Sequence, residues 1–156
     1  MGRLVVACGL TGASVLACAS LLAQARPDAF GLPLTHPAIE YAARPTHDRI
    51  ARLNADIARG AVRLPFDATS GYLRGVLAAT GVPVESQLLV FSETSAQADH
   101  ISFRNPRAIY FDDDVAVGWV RGADALELAV QDPEQGAVFY TLEQKEAATP
   151  TFTRDN

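Results

Sequence analysis

The feature that most constrains the fold is a run of alternating apolar residues in the second half of the chain. Val115, Val117 and Trp119 alternate with small residues, and the same period returns in Leu126, Leu128 and Val130 and in Val138, Tyr140 and Leu142. A period of two marks strands with one buried face. Arg121, Gly122, Ala123 and Asp124 connect the first pair. Asp132, Pro133, Glu134, Gln135 and Gly136 connect the second, with Pro133 setting the turn and Gly136 able to take a positive φ. Strands joined this tightly pair antiparallel, because a parallel pair needs a crossover of about a dozen residues or more. Short apolar runs at 87–92 and 108–111 extend the pattern, so a four- or five-stranded meander is expected.

The preceding segment has a helical period. Ile50, Leu53 and Ile57 fall on one face, Thr46 can cap the first turn, Asp48 sits near its positive end, and Gly60 stops it. An extended piece at 62–66 leads to a second helix over 70–80, with Leu73, Val76 and Leu77 on one face and Gly81 and Pro83 as terminators. Helices followed by an antiparallel meander predict an α+β domain over 46–143, two helices packed on one face of the sheet.

The N-terminus reads as an export signal. Arg3 precedes an uncharged, mostly apolar stretch from 4 to 22, and Ala23, Gln24 and Ala25 form a small-x-small cleavage site. An uncleaved membrane anchor is the competing reading, weakened by Gly9, Thr11, Gly12, Ser14 and Ser20. Cleavage after Ala25 removes both cysteines, Cys8 and Cys18, and leaves a periplasmic or secreted chain without disulfides. A second alternative makes Val15, Leu16, Ala17 and Cys18 a lipoprotein box, with Cys18 lipidated as the membrane anchor. Four prolines between 26 and 45 predict an extended lead-in, and 144–156, which lack periodicity, read as a tail or linker to a further domain.

A net charge of -5 argues against a nucleic-acid partner, which would require a basic surface. No membrane contact is expected beyond the signal or lipid anchor. His36, His47 and His100 stand in no metal-ligand spacing and read as solvated or capping residues. Asp112, Asp113 and Asp114 have the residue type for a hard cation, but lack the further oxygen ligands of a calcium loop and read as a solvated turn. Arg104 and Arg107 lie just before them, placed either to pair with these aspartates or to bind an external anion; local pairing is expected. Ser92, Thr94, Ser95 and Ser102 put hydroxyls around His100 without a nucleophile elbow. Phosphate-loop, dinucleotide and C-x-x-C-H signatures are absent, and Tyr110 and Trp119 read as core aromatics.

The stretches Phe91-Ser92-Glu93-Thr94-Ser95, Arg104-Asn105-Pro106-Arg107-Ala108-Ile109-Tyr110-Phe111 and Val117-Gly118-Trp119-Val120 are more particular than generic strand patterning. With Asp132-Pro133, Gly136 and Val138-Phe139-Tyr140-Thr141-Leu142, they resemble the N-terminal region of a family of exported bacterial proteins related to c-type cytochromes. In that family the region leads into a C-x-x-C-H haem-attachment segment, which this sequence lacks. The resemblance runs from about 36 to 153 and implies a non-catalytic module leading a larger haem-containing electron-transfer protein. Its partner would be the downstream haem domain or a redox protein, with no cofactor in this chain itself. The loop from 92 to 107, with Arg104 and Arg107, is then the expected contact surface. The competing reading is a small periplasmic hydrolase or metal-dependent enzyme using His100 with Asp112 or Asp113, joined by His36 or His47.

Overall fold

The computed structural model describes residues 36–37, 40–91 and 95–155; the predicted signal, Cys18 and the N-terminal part of the lead-in lie outside them. The alternating runs form strands β1 (Leu88–Val90), β2 (Arg107–Phe111), β3 (Val115–Trp119), β4 (Ala125–Asp132) and β5 (Gly136–Glu143), and a two-residue β6 (Thr153–Arg154) completes the sheet. Neighbours in sequence are neighbours in space, and every pairing is antiparallel. The α+β arrangement is therefore the one the alternation implies, with six strands where four or five were expected.

Register decides which side chains face the helices. Pairing of Tyr110 with Val117, Val117 with Leu128, and Leu128 with Tyr140 lines one row of the inner face. Val115, Val130 and Val138 form a second row, all buried. Helices α1 (Arg49–Ala58) and α2 (Leu73–Thr80) cover these rows with Ile50, Leu53, Ile57, Leu73, Val76 and Leu77. Burying each such side chain contributes about 1.5–3 kcal/mol.

The residues preceding α1 join the helix layer to the sheet. Asp48, not Thr46, caps the helix: its Oδ1 accepts the N–H groups of Ile50 at 2.7 Å and Ala51 at 2.8 Å. Its Oδ2 accepts the Tyr140 hydroxyl of β5 at 2.7 Å, and Thr46 Oγ1 lies 2.9 Å from the same hydroxyl. Asp48 is 1 % exposed, so both oxygens need these partners. Asp132 repeats the device from the sheet side. Its Oδ1 accepts from Glu134 and Gln135 within the β4–β5 turn, where Gly136 takes φ 75°, and its Oδ2 accepts the His47 N–H at 2.6 Å.

Residues 144–155, expected as a tail, pack onto the domain instead. Gln144 Oε1 accepts the Tyr72 N–H at 2.9 Å, and Tyr72 Oη accepts the Ala147 N–H at 2.8 Å. Phe152 is buried, and Asn54 holds its backbone on both sides, accepting its N–H at 3.0 Å and donating to its carbonyl at 3.2 Å. A single anchor residue between polar neighbours has no period, which is why the pattern gave no sign of it.

Burial raises the Tyr140 phenol to about 12, with the adjacent Asp48 carboxylate adding to the effect and the Thr46 contact opposing it. Its native pKa lies above the ordinary 10.0, so the stability it contributes is complete below pH 10 and is lost as the pH rises towards 12. Tyr140→Phe is expected to flatten this alkaline limb in urea unfolding measured from pH 8 to 12. An unchanged alkaline limb would show that Tyr140 does not carry it.

Candidate functional site

The outward face of the sheet is built from unusually small residues. Ala116 and Gly118 of β3, Ala129 of β4 and Ala137 of β5 floor a trough of about 840 Å³. Register sets its rows: Ile109, Gly118, Glu127 and Thr141 lie across the strands in one, and Phe111, Ala116, Ala129 and Phe139 in the next. Exposed strand positions ordinarily carry branched or charged side chains, and small ones mark a close approach of other atoms.

One end of the trough is a partly buried ion pair that the sequence did not reveal. Arg107 Nη2 donates to Glu127 Oε2 at 2.5 Å, two strands away. The guanidinium reaches it by lying over Gly118, where a Cβ would come within 2.5 Å of Nη2 and 2.6 Å of Nε. Glycine is thus required there by space. Arg107 Nε is buried without a hydrogen-bond partner. Glu127 also accepts Ser95 Oγ and the Ala96 N–H, each at 2.8 Å, tying the loop before β2 down onto the sheet. At the other end, Tyr41 Oη accepts the Phe139 N–H at 3.1 Å, and the Arg154 guanidinium stacks 3.9 Å over the Tyr41 ring.

The remaining candidate residues are dispersed. Asp112 pairs with Arg49 of α1, and its Oδ1 accepts the N–H groups of Asp114 and Val115. Burial on its own raises this carboxyl, but the Arg49 hydrogen bond and the two N–H groups outweigh it and hold the group below the usual range. Asp114 also pairs with Arg49, at 3.1 Å, and Asp113 is exposed at the tip of the turn. The expected pairing of Arg104 and Arg107 with these aspartates is therefore corrected: Arg49 pairs with Asp112 and Asp114, Arg107 turns to Glu127, and Arg104 is exposed. The reason is one of register, because Arg107 points to the outer face while Asp112 reaches the N-terminus of α1.

His100 ends a short 3-10 turn (Ala98–His100) and is exposed, its carbonyl accepting Asn105 Nδ2 at 2.7 Å. Asn105 Nδ2 also donates to the Arg121 carbonyl, and Ser102 and Asn105 exchange backbone hydrogen bonds at 3.0 Å. Phe103 and Arg104 stand at the tip of that tight turn, Phe103 91 % exposed. His47 is exposed beside Asp132, and the His36 carbonyl accepts the Glu40 N–H. Among the described residues, no three His, Cys, Asp or Glu side chains gather as a group that could hold a metal ion. Ser92 and Thr94 lie outside the described residues. Also among these residues, no helix is long and apolar enough to cross a membrane. No protein-family model, curated protein or solved structure matches the chain.

Gly118→Ala is expected to push the guanidinium off Glu127 and cost about 1–3 kcal/mol. The same change in an Arg107→Ala background should cost at least 1 kcal/mol less, a coupling read by a double-mutant cycle in urea. Simple additivity would mean that the guanidinium does not depend on the open space over Gly118.

Proposed function

We propose that this is an exported, non-catalytic docking module whose outer sheet face seats a protein partner. The observation that carries the reading is the trough itself. Its floor of Ala116, Ala129 and Ala137 lets another chain approach the backbone closely, and its ends are fixed by Arg107–Glu127, with the guanidinium covering Gly118, and by Tyr41–Arg154. Rigid polar ends around an apolar centre are the usual anatomy of a protein interface.

The sequence resemblance supplies the partner: the haem-bearing segment of a larger electron-transfer protein, or a redox protein that meets it. In this reading the chain contributes position rather than chemistry. It holds a partner's surface at a fixed orientation, and the electron-transfer cofactor belongs to that partner. Asp112 is engaged by Arg49 and by two backbone N–H groups, which favours a structural role for it over acid–base work with His100.

A photo-crosslinking amino acid at position 129, on the trough floor, tests this in cells that export the native protein. The expected result is a discrete adduct that stains for covalent haem and is lost when Ala116→Arg fills the trough. Control labels at the exposed positions 59 and 74 should give no such adduct. Adducts without haem, or equal labelling at the controls, would contradict the reading.

A further inference from the structure

Independently of the trough, we infer that β1 is the contact edge of a symmetric homodimer in which two copies join their sheets. The observation is where apolar surface is left uncovered. Of the seven large apolar side chains most exposed among the described residues, Val84, Leu88, Leu89, Phe91, Phe103 and Phe111 all belong to β1 or to segments beside it. They are contiguous. Leu88 pairs with Ile109, two residues before Phe111; the Phe111 N–H donates to Ser86 Oγ next to β1; and the Phe91 and Phe103 rings lie 5.4 Å apart.

The patch wraps both sides of the edge. Leu88 shares the outward face with Ile109, whereas Leu89, opposite Ala108, lies on the inward face and is still 50 % exposed. An edge strand that is half exposed on both faces presents backbone donors and acceptors together with apolar side chains, a template for another strand. Native edges are commonly defended by charge or proline, and residues 87–91, Gln-Leu-Leu-Val-Phe, carry neither. The opposite edge differs: β6 is two residues long and carries Arg154, which hydrogen-bonds Arg44 and Gln135.

A second copy is the occupant that fits. Antiparallel pairing of two identical strands has a two-fold axis, the commonest symmetry of homo-oligomers. Centred on Leu89, it sets uncharged residues against uncharged residues, packing Leu89 against its own counterpart on one face and Leu88 against Val90 of the second copy on the other. At roughly 150–250 Å² for each full aromatic side chain and less for Leu and Val, the exposed fractions amount to about 600 Å² of apolar surface per copy. Two copies would cover about 1,200 Å², the lower bound of a specific interface before backbone pairing is counted. The sheet would continue through the axis as twelve strands.

Sedimentation equilibrium of the full chain between about 1 and 100 μM reads the outcome. The expected result is a mass twice that of the chain at the upper concentrations. Leu89→Lys, which sets like charges opposite each other at the axis, and Phe103→Ser, which removes a ring that is 91 % exposed, should each raise the dissociation constant at least tenfold. Both variants should keep the native circular dichroism and unfolding midpoint. A monomer throughout, or a dimer unaffected by both substitutions, would overturn the inference. So would a monomer that sediments with anionic lipid vesicles in a Phe103-dependent way, since the patch would then face a membrane.

Discussion

The Asp48 carboxylate is the point on which the architecture turns. A helix of ten residues has four N–H groups at its start that need acceptors, and it cannot be buried while they lack them. Asp48 accepts two of them and the Tyr140 hydroxyl with the same carboxylate, so capping α1 and docking it on β5 are one event. Asp132 mirrors this by closing the β4–β5 turn and holding the His47 N–H just ahead of the helix. Between them the two buried carboxylates tie the start of α1 to β4 and β5. Burial alone would raise Asp132, but the His47, Glu134 and Gln135 N–H groups keep it below the usual carboxylate range.

With one face of the sheet closed by this junction, the other is free to be shaped for a different purpose. Alanine and glycine on an outer face contribute little to strand stability, and a sheet built for stability alone would carry branched side chains there. The domain offsets that loss with long side chains that brace the face at its margins. Arg107 spans from β2 to Glu127, and Arg154 stacks on Tyr41 and bonds Gln135. These braces also anchor the segments on either side, the 95–105 loop through Ser95 and Ala96 and the lead-in through Tyr41 and Arg44. A shallow trough with rigid ends is the result.

The parts legible in the sequence were those governed by local pattern. Alternation in β3, β4 and β5 and their short turns set antiparallel pairing, and Ile50, Leu53 and Ile57 set the buried face of α1. What escaped was decided by partners far along the chain. Thr46 and Asp48 are both cap-type residues, and Asp48, which caps α1, is also held by Tyr140, 92 residues beyond it. Asp112 meets Arg49 across 63 residues, whereas Arg107, close to it in sequence, is turned to the other face by strand register. Phe152 is a lone apolar residue whose place depends on Asn54, 98 residues earlier. The trough was visible only as small residues at alternate positions, a pattern that acquires meaning once register aligns Gly118 with Glu127.

If the joint between cap and sheet organises the domain, Asp48 and Tyr140 must act as a unit. The direct measurement is the coupling energy between Asp48→Ala and Tyr140→Phe, obtained from urea unfolding of the two single variants, the double variant and the parent at pH 7. A shared buried hydrogen bond predicts a coupling of about 1–3 kcal/mol, with the double variant less destabilised than the sum of the singles. Additivity within about 0.5 kcal/mol would contradict the account, leaving the helix cap and the sheet contact as separate contributions that merely meet at one residue.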